Sequence, residues 1–347
     1  MNKYYALAQA FKTDPFAILT QGGYLCLPIS SHAMTTRDTR TPRRLPLFPN
    51  TEPSYGRNDR IAKQPTKTSA MDLGQTIKIQ SVQDTDTEEF RQIYDLYRRI
   101  FTLEEETESF DGLCASMALN GNPDLTRKYG PFQEIWLSAR TPEGRLAGGA
   151  DFNVFILPEQ ACATVHITYI FSDALCRNAG IGSALLQHIE SEARRWVASQ
   201  GFPMNYPLHV FCEQNAPERM SPEEYRRDAE AAGLDPCQRL IWWHKKGFRR
   251  LDTEYIQPPL SPQGIACTNL SLNVKTRKRF FPASIVSGHL RRFFYIAVFK
   301  ARTSHDAQTE EILRKIEATG SIPVTGSLKE YRELGKRFSL QGRCRAS

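Results

Sequence analysis

Apolar and polar positions fall into two regimes along this chain. From about residue 76 they are periodic; before it they are not. Residues 76–82 alternate, with Ile77 and Ile79 on one side, and predict a strand. A helix follows from Glu88, after N-cap candidates at Asp84 to Thr87. It places Phe90, Ile93, Tyr94, Tyr97 and Ile100 or Phe101 on one face. Residues 134–139 and 145–157 read as two strands joined by the turn Thr141-Pro142-Glu143-Gly144. Gly148-Gly149 inside the second signals a bulge or a close backbone approach. Residues 166–171 are rich in β-branched and aromatic side chains and predict a central strand. Then Ile181, Leu185, Leu186, Ile189, Ala193 and Trp196 recur at helical spacing.

The pattern continues with a strand at 207–213. Two helices follow: one from Ser221-Pro222-Glu223-Glu224 to Gly233, one from Asp235-Pro236 to about Lys246. Strands are predicted at 249–257 and 266–274. A closing helix is predicted at 282–299, and polar helical stretches at 307–318 and 327–338. The expected organisation is a folded domain at 75–300 with a helical insertion at 216–238, and a helical extension at 301–347.

Residues 1–74 break the periodicity. Thr, Arg, Pro, Ser and Asn dominate from residue 31, and few groups there repay the entropy of ordering. A disordered or loosely ordered basic extension is expected. Residues 1–75 hold ten Lys or Arg and five Asp or Glu, so five of the seven net positive charges lie there. The basic balance belongs to that arm, which argues against a nucleic-acid-binding domain. With 40% apolar and 24% charged residues, the composition is that of a soluble globular chain. No apolar run reaches the ~18 residues of a membrane span. The eight cysteines are scattered, none in C-x-x-C spacing, which favours reduced thiols in a cytoplasmic setting and no zinc site. Export by a specialised route through the N-terminal arm stays open.

Chemistry concentrates at Arg177-Asn178-Ala179-Gly180-Ile181-Gly182-Ser183, between the central strand and the long helix. Backbone N–H groups of a first helical turn lack internal partners and carry the positive end of the helix dipole. Glycines at 180 and 182 admit an anion to the backbone, and Arg177 adds a charged donor. The stretch predicts a phosphate cradle. Its spacing is Arg-x-x-Gly-x-Gly, neither a dinucleotide fingerprint nor a P-loop.

That motif, its place after a strand, Asn215 after the next strand, and Trp243-x-x-x-Gly247-Phe248 resemble the GCN5-related N-acetyltransferase (GNAT) superfamily. The resemblance covers about Gln75 to Lys275. It implies an α/β (α+β) fold: a mixed, mostly antiparallel twisted sheet with a splayed central strand pair and helices on both faces. It implies acetyl-CoA as cosubstrate and an amine, small molecule or protein, as acceptor. It places the cofactor on Phe171, Ser172, residues 177–183, Asn215 and Trp243, with the N–H groups of Phe171 and Ser172 polarising the thioester carbonyl. No metal, nucleic acid or membrane is implied; a second copy in a homodimer is a further candidate partner. Many members carry Tyr where this chain has Trp243, and that hydroxyl protonates the departing thiolate. Indole cannot serve so, and the general acid is unassigned.

The base must be a carboxylate or imidazole near the splay. Glu213, His166 and Glu105 are the candidates in that order. Each also has a plainer reading: a solvated strand end, a core histidine, an acidic loop. Two rival functions stay open at the level of sequence: an idle acyl-CoA sensor, and an interaction protein on the same scaffold.

Overall fold

The computed structural model describes residues 77–103, 107–259, 266–303 and 305–343. The expected N-terminal extension and Glu105 lie outside these residues. The predicted strands form as β1 (Lys78–Val82), β2 (Phe132–Arg140), β3 (Leu146–Leu157), β4 (Cys162–Ser172), β5 (Leu208–Asn215), β6 (Phe248–Leu251) and β7 (Leu270–Lys275). Two short strands add to them, β8 (Phe280–Pro282) and β9 (Ser321–Thr325). The sheet order among the described residues is β1-β2-β3-β4-β5-β7-β6-β9-β8. Every pairing is antiparallel except β4 with β5. The mixed, mostly antiparallel sheet implied by the resemblance is therefore the sheet observed.

The helices are α1 (Glu88–Ile100), α2 (Phe110–Met117), α3 (Pro123–Tyr129), α4 (Ile181–Ser199), α5 (Pro222–Ala232), α6 (Pro236–Lys245), α7 (Ala283–Arg292), α8 (Ala307–Ala318) and α9 (Leu328–Arg343). Their starts follow from capping: Thr87 accepts from the Phe90 N–H, and Ser221 and Glu224 form a reciprocal box at α5. Among the described residues no helix is long and apolar enough to cross a membrane.

Helices lie on both faces of the sheet. On one, Ile181, Leu185, Ile189 and Ala193 of α4 pack on the even-numbered residues of β3, Ala150 to Ile156. The other face has two covers. Phe90, Ile93 and Tyr97 of α1 and Leu113 of α2 pack around Trp136 and Phe171. Val286 and Leu290 of α7, Phe293 and Phe294 in the turn that follows it, and Leu313 of α8 pack around Phe155, Phe211 and Leu272. Each fully buried side chain of this size contributes about 1.5–3 kcal/mol.

Three departures from the sequence reading have physical causes. The closing helix is α7 followed by a π-helical turn, Phe293–Val298, and Lys300 and Ala301 then take left-handed conformations (φ 49° and 57°). β6 stops at Leu251: Asp252 still donates its N–H to the Pro323 carbonyl of β9, but proline has no N–H to return, and only a single bridge, Gln257 to Cys267, continues toward the predicted span. The C-terminal stretch is not helical throughout: β9 sits between α8 and α9 and pairs with both β6 and β8.

Candidate active site

β4 and β5 run parallel from the pair Ala163 and Leu208 to the pair Ile167 and Cys212, and there their pairing ends. β4 continues to Ser172 against β3 alone, and β5 continues to Asn215 against β7 alone. A bulge lies at the point of divergence. Asp151 faces Tyr169 and Phe152 faces Ile167, so Thr168 is the extra residue. The residues Thr168, Tyr169 and Ile170 become half-exposed as the neighbour departs. The fold is of the GNAT type.

Backbone alternation decides which amides face the opening. Asp173 donates to the Ala147 carbonyl at 2.9 Å, opposite it in register. The next pair, Ser172 with Gly148, is then a non-bonded pair, and Phe171 with Gly149 a bonded one. Ser172 and Ile170 turn their N–H groups to the gap, while that of Phe171 is spent on β3. Of the two expected donors only Ser172 has this freedom. Gly148 and Gly149 mark a close approach: a Cβ on Gly148 would lie 2.6 Å from the Phe171 carbonyl oxygen.

The predicted cradle follows. Asn178 and Gly180 are both left-handed, at φ 63° and 81°, and Gly180 caps α4 without a side chain. Ser183 and Ala184 donate to the Gly180 carbonyl. Among the described residues no acceptor meets the N–H groups of Gly180, Ile181 and Gly182. A Ser or Asp cap would have filled one of them. The turn fits a pyrophosphate on these backbone donors.

The side chains expected around it are placed differently. Arg177 donates to the Gly233 carbonyl at 2.6 Å and to that of Ala232 at 3.0 Å, closing the C-terminus of α5. Its guanidinium serves the insertion, not the cradle. Asn215 donates to Asp228 of α5 at 3.3 Å. Trp243 stands edge-on to Phe248, 4.7 Å between ring centres. The indole beside the cradle is that of Trp242, which a Cβ on Gly182 would approach to 3.2 Å. Gly182 thus makes room for an aromatic ring.

Glu213 and His166 meet. His166 Nε2 lies 3.6 Å from Glu213 Oε2. Its Nδ1 is 3.0 Å from His289 Nε2, whose Nδ1 is 2.9 Å from the Thr164 hydroxyl. Burial, reinforced by the Arg292 charge, holds His289 well below the usual imidazole range, so it is neutral. One arrangement satisfies the chain: Thr164 donates to His289, His289 to His166, and His166 Nε2–H points at Glu213. Phe293 stacks on His166 at 3.6 Å. The Tyr255 hydroxyl and Gln257 Nε2 donate to the two oxygens of Glu213. Burial and the Glu213 charge keep Tyr255 protonated. Cys212 is no nucleophile: burial pushes its thiol up to about 12.

A second group of polar residues occupies the same face of the sheet. Glu134 on β2 and Asp151 and Asn153 on β3 are 4%, 3% and 2% exposed. They line a cavity between the two helical covers, together with Thr168, Gln257 and Lys300. Burial pushes the Glu134 carboxyl up to about 6, against hydrogen bonds from Ser116 and Trp136. Burial and the neighbouring Glu134 push Asp151 well above the usual carboxylate range. The sequence reading missed this group, along with Tyr255, Gln257 and His289.

No family model matches the sequence, and no curated protein does. Solved structures of similar fold include a protein from Bacteroides thetaiotaomicron assigned to the GNAT acetyltransferases, at 15% identity, covering 64% of this chain and 98% of that one with a TM-score of 0.42. They also include an aminoglycoside 6'-N-acetyltransferase complexed with coenzyme A (16% identity, 57% and 96% covered, TM-score 0.35). A third is the ribosomal-protein-S18-alanine N-acetyltransferase of Escherichia coli (14% identity, 57% and 92% covered, TM-score 0.33).

Proposed function

We propose that this chain is an acyl-CoA-dependent N-acyltransferase of the GNAT superfamily, transferring acetyl from acetyl-CoA to a primary amine by direct attack. The observation that carries the reading is the opened β4 edge beside an uncapped α4 N-terminus, with Glu213 on the strand that departs. Free amides at Ile170 and Ser172 suit the amide-rich arm of CoA, and those at 180–182 its pyrophosphate. The thioester supplies an activated acyl group. Glu213 takes the proton that the amine loses as its nitrogen bonds to the carbonyl carbon and the thiolate leaves. His166, turned by His289 and Thr164, points its Nε2–H toward Glu213 from 3.6 Å. Trp243 offers no acid for the thiolate; hydroxyls on the elements around the opening are those of Thr168, Tyr169 and Ser172 on β4 and of Tyr255, which donates to Glu213.

Acetyl-CoA mixed with a panel of primary amines should release free thiol well above amine-free hydrolysis. Glu213→Gln should lower that rate about a hundredfold with CoA affinity retained; an unaltered rate removes Glu213 as the base. The absent Tyr at 243 favours one second reading, a CoA-binding sensor. CoA would then raise the melting temperature with no turnover on any amine.

A further inference from the structure

We infer that the acceptor is a linear diamine or polyamine, its far ammonium held by Asp151, Glu134 and Asn153 while its near amine lies before Glu213. The inference rests on the acyltransferase reading and names the substrate class of that site.

Register sets the geometry. Glu213 lies two residues beyond Phe211, which faces His166, so it is abreast of the Thr168 bulge. Asp151 faces Tyr169, the next residue after that bulge. Asp151, the opened stretch of β4 and Glu213 therefore form one row across the sheet. Asp151 and Glu213 sit two strands apart: one paired spacing of about 4.8 Å from β3 to β4, then a wider step where β5 diverges. An extended chain advances about 1.2 Å per bond, so the nitrogens of cadaverine lie ~7 Å apart. Gln257 links the two ends of the row: it donates to Glu213 and lines the cavity that holds Asp151.

The far end of the row calls for a cation. Asp151 Oδ1 and Asn153 Oδ1 are buried without a hydrogen-bond partner among the described residues, and both residues line the cavity. Lys300 stands on one wall, but Glu108 Oε2 holds its ammonium at 2.7 Å and the Gly112 carbonyl at 3.1 Å. That pair is neutral within itself, and among the described residues no ion pair reaches Glu134 or Asp151, on which the Lys300 charge acts only from a distance. Buried carboxyls in this state either keep a proton or take in a positive ligand. An ammonium presents three donors to the bare oxygens. Phe293, Ala297 and Leu113 provide an apolar wall for methylenes. The cavity volume, about 60 Å³, exceeds the ~10–15 Å³ needed by one water and gives room for the end of an alkyl chain.

The test is calorimetric titration of the full chain with cadaverine and, separately, with n-pentylamine, which keeps the length and loses one charge. Cadaverine should bind at least about tenfold more tightly, and Asp151→Asn should erase that advantage while leaving n-pentylamine unchanged. Glu134→Gln serves as the second variant should Asp151→Asn misfold. Equal affinity of the two amines for the unaltered chain overturns the inference. So does a folded variant that still prefers cadaverine. CoA is titrated alongside. If CoA binds and cadaverine shows no preference, the diamine inference fails alone. If cadaverine is preferred and CoA does not bind, the acyltransferase reading fails and, with it, the diamine's role as acceptor.

Discussion

Glu134 and Asp151 are carboxyls inside strands whose neighbours are apolar, and their cost to the fold is measurable. Both hold protons in the folded chain at pH values where the unfolded chain has released them. The folded state therefore binds more protons than the unfolded one above the usual carboxylate range. Stability contributed below that range is lost as pH rises through about 6 for Glu134, and Asp151 shifts in the same direction. Replacing either by its amide removes the ionisation. Melting temperatures of Glu134→Gln and Asp151→Asn, relative to the unaltered chain, should climb between pH 5 and pH 8. For Glu134 the full shift, from 4.5 to about 6, corresponds to roughly 2 kcal/mol at 1.36 kcal/mol per pKa step, of which about 1.2 kcal/mol falls between pH 5 and pH 8. A difference constant across that range would mean that neither carboxyl titrates as described. A variant that is more stable and no longer prefers a diamine would mark a functional position.

These residues escaped the sequence reading for a definite reason. Alternation distinguishes the two faces of a strand but assumes that the polar face meets water. Here both faces are covered, so Glu134, Asp151 and Asn153 alternate correctly and are buried nonetheless. Glu213 and His166 were legible because they flank the strand pair that the glycine motif singles out. Their partners Tyr255, Gln257 and His289 come from segments 42 or more residues away in sequence, and only the packing of α7 and the loop after β6 brings them in.

The decisive element is α4, whose first turn is open because its cap is a glycine in the left-handed region. A substitution there tests charge only if backbone strain is matched. Asparagine tolerates that conformation better than most residues, so Gly180→Asn and Gly180→Asp form the pair. By titration, Asp should weaken CoA binding by about tenfold relative to Asn. Equal affinities would place the pyrophosphate elsewhere. The turn and the helix were legible from six residues, because glycine placement and helical periodicity are local. The direction of Arg177 was not, since the carbonyls that it caps belong to α5, 55 residues on. β8 and β9 were missed for the opposite reason: each is short, and Pro323 interrupts the strand pattern of β9.

At the scale of the molecule, α1 and α2 cover one end of a sheet face and α7, the π turn and α8 cover the other. The seam between them carries the polar row from Glu134 to Glu213. β4 is unzipped from β5 where that row crosses it. The C-terminal stretch takes part in this frame, with β9 joining the sheet and α9 packing Tyr331 against Leu240 and Ile241 of α6. With the proposed function, the acyl carrier would lie along the opened strand and on the first turn of α4. Amide hydrogen exchange of the full chain, with and without CoA, tests that placement residue by residue. CoA should slow exchange at Ile170, Ser172 and Gly180 to Gly182 and leave α8 and α9 unchanged. Unprotected amides at those five positions under saturating CoA would contradict it.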